Sequence, residues 1–434
     1  MKVAPDIFLA KPKLSFNELV LFLQYLLLFA SLAYSYMFIF PKFSSSSPYY
    51  LHVQFNPAAC CVSMLFLFLW AFVVREKVES FSALFLTLFF STIIIPLLVI
   101  YSCGGMPGIF VFYSASALMV LNFFVYSRFS LVCFKPAQQQ AVALMLCAAV
   151  VLSVLLLFFL KDGYSHVNFS FRINKLYPKR AYADNYIFSG IFSYLISWFG
   201  KVCNIFLIIY FLARKRYFIF LFFVFIQIIF ASIASEKSFF IYSFFSIFFY
   251  YFMRFSKSQN FFVFLLNALV IVSVYLYYST GSIILQNFLV RRVFMDTANM
   301  IFLYYHYFFN HALLYFSANI PGSNLPIPNF IGKTYLADAT NSANAGFFAT
   351  AYASFGFLGM LFSSVFLGAY LKVVDKIIEG KLSLAFACAC LIPSFWSLRS
   401  SALTTSFFTH GILLATFLLF LFACSKRADG GGYA

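Results

Sequence analysis

Long apolar runs separated by short polar connections make up most of this chain. A helix that crosses a membrane needs about 20 mostly apolar residues, and twelve runs approach that length. They lie at residues 16–40, 57–74, 81–102, 108–127, 139–160, 187–212, 217–234, 239–253, 260–279, 346–371, 382–398 and 406–424. Barrel strands would be about 10 residues long with alternating polarity. The pattern therefore predicts an all-α polytopic membrane protein with about 12 transmembrane helices.

Composition indicates the same class of protein. Of the 434 residues, 64% are hydrophobic and only 9% are charged, and the mean hydropathy is +0.94. A soluble fold cannot bury that much apolar surface. Residues 1–434 are therefore expected to form one integral membrane domain, with a retained first helix and a flexible tail over residues 428–434.

The net charge of +17 is interpreted as a signal of orientation. In a soluble protein it would suggest nucleic acid, which is not expected as a partner here. Short cytoplasmic connections of membrane proteins carry an excess of Lys and Arg. If both termini are cytoplasmic, every inner connection is basic, whereas the opposite orientation would place the basic segments 213–216 and 372–381 outside. Cytoplasmic termini are therefore predicted.

Eleven basic residues nevertheless fall on the outer side. They are Lys42, Lys161, Arg172, Lys175, Lys179, Arg180, Lys237, Arg291, Arg292, Lys333 and Arg399. Most of them lie in two long outer loops, 161–186 and 280–345, and loops of such length commonly carry function. In the first loop, Arg172, Lys179 and Arg180 are candidates to bind an anionic substrate. Attachment of this loop to anionic lipid head groups is the simpler alternative.

The second outer loop joins a charged pair to a helical pattern. Arg291 and Arg292 are adjacent at the exit of the ninth predicted helix. Residues 294–316 are predicted to be helical, while the prolines and glycine of residues 319–336 predict turns. The polar stretch that follows contains Asn344, a further candidate for substrate binding, and returns the chain to the membrane.

Arginine on the outer side points to phosphate chemistry. Its planar guanidinium can bind two phosphate oxygens and keeps its charge when partly desolvated. The outer loops have no DxD pair or acidic cluster that would hold a divalent metal. A phosphate-handling reaction here is therefore expected to use arginine without a metal or other cofactor. A lipid-linked sugar diphosphate fits, because arginines stabilise the charge on the leaving group.

Such a reaction also needs a base for the acceptor hydroxyl. His306, His311 and Asp296 are the candidates, with Asp338 a further carboxylate. The simpler interpretation of either histidine is a polar residue among interfacial aromatics. Aromatic residues of this loop that can stack on sugar rings are Tyr304, Tyr305 and Tyr307.

Ionisable residues inside apolar segments form a third group of candidates. Glu236 and Lys237 lie between two apolar runs with almost no loop, where charge is costly and often functional. A tight interfacial turn is the equal alternative. Lys201 falls within a run and is expected to face the bundle interior, with a carboxylate such as Glu236 as its candidate partner.

Several stretches resemble the O-antigen polymerases of the Wzy type, inner-membrane enzymes that join oligosaccharide repeat units carried on undecaprenyl diphosphate. They are the basic outer loop with Arg172 and Lys179-Arg180, the S-E-K-S element with Lys237, F-L-V-R-R-V-F at 288–294, and N-S-A-N-A-G-F-F-A-T-A-Y-A-S-F-G-F-L-G at 341–359. The last two in tandem are the more specific part, and topology extends the resemblance over most of the chain.

This resemblance implies a GT-C-like glycosyltransferase of a bacterial inner membrane, with both long loops in the periplasm. A glycan would leave its lipid diphosphate for the non-reducing end of a new lipid-linked unit, by inverting or retaining transfer without metal. The basic residues implicated in function in this family correspond here to Arg291, Arg292, Arg172 and Arg180. Spacing within the first outer loop does not decide whether Arg172 or Arg180 is the matching arginine there. The implied partners are lipid-linked oligosaccharide, the bilayer and a chain-length regulator.

Two other functions remain open at this point. An O-antigen ligase shares the architecture and donor but transfers the glycan to lipid A core. A flippase for lipid-linked oligosaccharide would show two related halves and charges along its spans, whereas here the charges cluster in two unequal loops. A purely structural membrane protein offers no reason for eleven outer basic residues.

Overall fold

The chain is helical throughout the part that the structure describes. This computed structural model describes residues 16–42, 53–127, 139–160, 192–233, 237–315, 317, 319–336 and 342–423. Within them every regular element is a helix, and β contacts are limited to three isolated bridges. The predicted all-α class is confirmed.

The helices follow the predicted apolar segments. They are α1 (Phe16–Lys42), α2 (Pro57–Val73), α3 (Phe81–Cys103), α4 (Gly108–Tyr126), α5 (Gln140–Leu160), α6 (Ser193–Ala213), α7 (Tyr217–Ser232), α8 (Ser238–Phe255), α9 (Gln259–Thr280), α10 (Asp296–Asn310), α11 (Ile327–Leu336), α12 (Phe347–Ile378), α13 (Leu384–Arg399) and α14 (Leu403–Phe422). In the described residues, nine are long and apolar enough to cross a membrane, and α2, α7 and α13 are shorter apolar helices. The chain is therefore a multi-pass membrane protein.

The first of two compact units contains residues 16–42, 53–78, 90–111 and 258–299. Its main packing is between α1 and α9, with α2 and the end of α3 against α1. Asn267 of α9 donates from Nδ2 to the Gln24 carbonyl at 2.9 Å and to its Oε1 at 2.7 Å. Because apolar helices in lipid gain little from hydrophobic burial, such interhelical hydrogen bonds fix which faces meet.

The second unit, which holds the remaining described residues, is built around α13. Every residue from Ala385 to Phe395 is buried, and this helix packs on α6, α8, α14 and the start of α3. Most of its buried side chains are small or apolar, so neighbouring helices can approach closely. Pro393 lies inside the helix, where it removes a backbone donor.

Several helices depart from regular α geometry. Single π turns occur at Ser35–Ile39, Phe90–Ile94 and Phe199–Cys203. A longer π-helix, Gln286–Met295, leads directly into α10. α14 is interrupted between Phe408 and Ile412. Such departures inside a membrane require neighbouring groups to satisfy the freed backbone atoms.

Two predictions for the second outer loop need correction. The helical run predicted at 294–316 ends at Asn310 and is preceded by the π-helix. Residues 327–336, predicted as turns, form α11, because Pro328 stands in the first helical turn, where its missing N–H breaks no helical hydrogen bond. α9 ends at Thr280, where Gly281 adopts the left-handed conformation.

The long helix α12 is kinked at one glycine. Gly356 has φ 61° and ψ −150°, and Phe355 beside it is also non-helical. This region of backbone space is open essentially to glycine alone. The S-F-G-F-L-G part of the stretch at 341–359 therefore encodes the kink.

Replacing Gly356 with Asn should lower the free energy of unfolding by about 1–3 kcal/mol, because no side chain tolerates this backbone conformation. The matched control is Gly281→Asn, at φ 68° and ψ 4° with no atoms near a new Cβ, a left-handed conformation that Asn adopts readily. Thermal unfolding of detergent-purified protein provides the comparison. Equal unfolding midpoints for the two variants would contradict the assigned kink.

Candidate functional site

The adjacent arginines lie on the π-helix Gln286–Met295, in the first unit. Each π-type bond joins a backbone N–H to a carbonyl five residues earlier, as from Asp296 to Arg291. π-Helical segments are usually single turns and occur frequently at functional sites, so ten residues is long for this class. The segment packs on α9 and the end of α3, and Gln286 donates from Nε2 to Ser273 Oγ at 3.0 Å.

The two guanidiniums have different surroundings. Arg292 is exposed, and its guanidinium carbon lies 5.3 Å from the ring centroid of Phe288 on the same helix. Arg291 is half-buried, and its Nε is buried without a hydrogen-bond partner among the described residues. A buried donor left unsatisfied costs about 1–3 kcal/mol. An anionic ligand that accepted from Arg291 would remove this cost.

Asp296, a predicted catalytic candidate, stands at the junction of the π-helix and α10. Its backbone N–H bonds to the carbonyl of Arg291, and its side chain is half-buried. It belongs to the first unit, whereas His306, His311 and Asn344 belong to the second. Asp296 is thus held on a continuous helix rather than in an exposed loop.

His306 joins the two loop helices of the second unit. Its Nδ1 lies 2.9 Å from the hydroxyl oxygen of Tyr335 on α11. Partial burial raises the pKa of Tyr335 above its ordinary value, so the hydroxyl keeps its proton and can either donate to Nδ1 or accept from it. When the hydroxyl donates, a neutral imidazole carries its proton on Nε2. In that arrangement His306 offers a donor from Nε2.

The partner of His311 fixes the position of its ring proton. Its Nδ1 lies 2.8 Å from the carbonyl oxygen of Tyr307, which can only accept, so Nδ1 carries the proton. The imidazole stacks on the Tyr307 ring, with centroids 4.1 Å apart and planes 2° from parallel. His311 is exposed, and in the neutral form of the ring Nε2 has a lone pair. This is the arrangement a general base requires.

The expected sugar-stacking role of the tyrosines is wrong for two of them. Tyr304 is 1% exposed and Tyr305 is 0% exposed, so neither ring can meet a sugar. The Tyr305 hydroxyl lies 3.2 Å from Ser114 Oγ, and its ring lies 4.8 Å from that of Tyr352. Tyr305 attaches α10 to α4 and α12 instead.

Asn344 lies in the short segment before α12 and is exposed. Ser342 donates from Oγ to its Oδ1 at 3.0 Å, and Ala343 donates from its backbone N–H to the Pro328 carbonyl at 2.9 Å. A Cβ at Gly346 would clash with the Arg399 carbonyl, which explains the glycine of N-A-G-F-F. The side chain of Asn344 is therefore presented on a segment fixed to α11 and α13.

Arg399, which was predicted to lie on the outer side, is buried at the end of α13. It is 6% exposed, and its guanidinium carbon lies 4.0 Å from the ring centroid of Trp396. An arginine can remain in such surroundings because its delocalised charge is weakly hydrated and stacks on aromatic faces. The fold thus places a cation at the end of its central helix.

A buried polar cluster around His410 was not predicted. Lys201 Nζ lies 2.6 Å from His410 Nδ1, and Ser401 Oγ lies 2.9 Å from Nε2. Ser197 Oγ lies 3.3 Å from Nδ1. Since an ammonium can only donate, His410 accepts at Nδ1 and donates from Nε2 to Ser401. Hydrogen bonds therefore connect the buried ammonium of Lys201, a residue that is 7% exposed, through His410 to the half-buried hydroxyl of Ser401.

This cluster occupies two irregular points of the second unit. Lys201 is on the π turn Phe199–Cys203, and His410 lies at the interruption of α14. The expectation that Lys201 faces the bundle interior is confirmed. The local sequence contains no trace of its partner, which is 209 residues away.

Some predicted residues lie outside the described part of the chain. They are Arg172, Lys179, Arg180 and Glu236, together with the whole 161–186 loop and the 428–434 tail. The backbone of Lys237 begins the helix that contains α8, and its side chain is likewise outside the described part of the chain.

Comparisons with protein families, with curated protein sequences and with solved structures each found no match.

Removing His410 should destabilise the second unit. In His410→Leu the buried amine of Lys201 loses an acceptor, at an expected cost of about 1–3 kcal/mol or more because the donor is charged. The double variant Lys201→Met/His410→Leu removes both partners and should be more stable than the single variant. His311→Leu, at an exposed position, is the matched control and should change the unfolding midpoint little. Purely additive effects in this cycle would refute the pairing.

Proposed function

We propose that this protein is a glycosyltransferase that polymerises oligosaccharide repeat units carried on undecaprenyl diphosphate. The observation that carries the proposal is the arginine pair on the π-helix, with a buried Arg291 Nε that lacks a partner among the described residues. The stretches that resemble the O-antigen polymerases, at 288–294 and 341–359, support it. The proposed location is a bacterial inner membrane, with GT-C-like architecture, cytoplasmic termini and the long loops in the periplasm.

The proposed reaction is a glycosyl transfer between two lipid-linked molecules. A hydroxyl of the acceptor unit attacks the anomeric carbon of the donor glycan, and the bond from that carbon to the diphosphate oxygen breaks. The diphosphate leaves with the bonding electrons. Arg291 and Arg292 would stabilise its growing charge through paired N–H donors. The other residues proposed to bind substrate are Arg172, Lys179, Arg180, Glu236, Lys237 and Asn344.

The acceptor proton needs a base, and three residues are candidates for that role. His311 is favoured, because the hydrogen bond from its Nδ1 leaves a lone pair on Nε2. His306 is instead the proposed donor from Nε2, in the arrangement in which the Tyr335 hydroxyl donates to its Nδ1. Asp296, the third candidate, is half-buried and follows the arginine pair closely in the sequence. A chain-length regulator is proposed as a protein partner.

Arg291→Ala and Arg292→Ala should each slow polymerisation by about 100-fold or more, the usual effect of removing one preorganised donor. Lysine at either position should restore little, because the two-pronged geometry is lost. The assay uses purified protein with one synthetic lipid-diphosphate repeat unit and a chelator, without nucleotide. A ladder of longer glycans is the expected product, resolved by gel electrophoresis.

The matched control is Lys333→Ala, an exposed cation of α11, which should leave the ladder unchanged. Normal polymerisation by both arginine variants would refute the diphosphate role. Single units as the only product would refute the polymerase, and glycan transfer only after addition of lipid A core would identify a ligase.

His311→Ala and His306→Ala separate the proposed base from the proposed donor. Loss of a general base typically costs about 10²–10⁴-fold in rate, so His311→Ala should abolish most of the ladder. The lost rate should recover partly with added imidazole, which can replace a missing base. A larger loss and recovery in His306→Ala would reverse the two assignments.

A further inference from the structure

A cavity of about 390 Å³ lies at one end of the second unit, and none of the described candidate residues lines it. The helices α6, α8 and α14 end beside it, and α5 and α13 begin there. Its volume falls in the range of pockets that hold small organic ligands. Because three of the helices that end here are long enough to cross a membrane, the cavity lies at the level of the membrane–water boundary.

Four basic side chains line this cavity. They are Arg214, Arg254, Lys257 and Lys381, contributed by three different connections of the chain. Among the described residues that line it, none is acidic. The summed charge therefore attracts an anion.

Neighbouring groups hold two of these cations in place. The guanidinium carbon of Arg214 lies 5.6 Å from the ring centroid of Tyr210. Arg254 donates from Nη1 to the Tyr250 hydroxyl at 3.3 Å. The backbone of Lys257 adopts φ 55°. The cations are thus partly preorganised, which lowers the entropic cost of binding.

The cavity is polar at its rim and apolar below. Arg214, Arg254 and Lys257 are exposed, whereas Met253, Phe386 and Phe422 are buried. A water-soluble phosphate has no apolar part that would contact these buried residues. A phospholipid matches both parts, since its phosphodiester can meet the cations while its acyl chains contact the apolar residues.

We propose that this cavity binds an anionic phospholipid through its headgroup phosphate. Basic pockets between the ends of membrane helices have the chemistry that such head groups require. The general excess of basic residues in short connections explains why Lys and Arg lie at this end. It does not explain why four of them converge on one cavity with an apolar floor.

Native mass spectrometry of the full-length protein in detergent, titrated with phosphatidylglycerol or phosphatidylcholine, tests this site. The unchanged chain should bind phosphatidylglycerol more tightly. Arg254→Gln/Lys257→Gln should weaken that binding about 30-fold and leave the binding of phosphatidylcholine unaffected. The figure follows because each cation contributes about 1 kcal/mol and roughly 1.4 kcal/mol corresponds to a tenfold change in affinity. Lys381→Gln, from another connection, should weaken it about fivefold.

The matched control is Lys215→Gln/Arg216→Gln, which removes the same charge from two exposed residues that do not line the cavity. It should bind phosphatidylglycerol as the unchanged chain does. An equal loss in this control would mean general surface attraction and overturn the proposal, as would equal affinity of the unchanged chain for both lipids. Glycerol 3-phosphate should not compete at the concentrations at which the lipid binds, and competition there would assign a soluble phosphate instead.

Discussion

A helix that crosses a membrane must satisfy its own backbone hydrogen bonds, and the rest of this structure depends on that constraint. It explains why the described chain is helical and why the connections between most helices are short. It also makes every irregularity costly, because lipid cannot replace a lost hydrogen bond. The π turns, the kink at Gly356 and the interruption of α14 therefore have to be compensated by protein neighbours. At the kink, glycine at position 356 also lowers the cost, because it has no side chain to clash with the backbone in this conformation.

Cationic side chains occupy some of these irregular points. Lys201 lies on the π turn of α6, and Arg291 and Arg292 lie on the ten-residue π-helix. The other two π turns, Ser35–Ile39 and Phe90–Ile94, have no charged residue. A π turn is thus not enough to indicate a site. The combination of irregular backbone with a buried or half-buried cation is more informative, because each is costly where water is excluded.

Hydropathy predicted the apolar helices well because it depends only on local sequence. The loop helix α11 was missed because proline was taken as a break, although Pro328 falls in the first turn, where it is tolerated. The Lys201–His410 contact was beyond sequence reasoning, since 209 residues separate the partners. The hydrogen-bond partners of His306 and His311, Tyr335 and the Tyr307 carbonyl, are likewise defined only by the folded loop. Residue type predicted the candidates but not their chemistry.

The distribution of basic residues shows how one pattern in a sequence can have two physical causes. Counting Lys and Arg in short connections predicts the side of the membrane on which they lie. The count treats Arg214, Lys215 and Arg216 as equivalent, yet of these three only Arg214 lines the cavity. Its neighbours can satisfy the same orientation rule from the surface. The packing of helix ends, in contrast, brings Arg254, Lys257 and other cations together above an apolar floor. The position of a basic residue, inside the cavity or outside it, therefore separates the proposed binding role from the role in orientation.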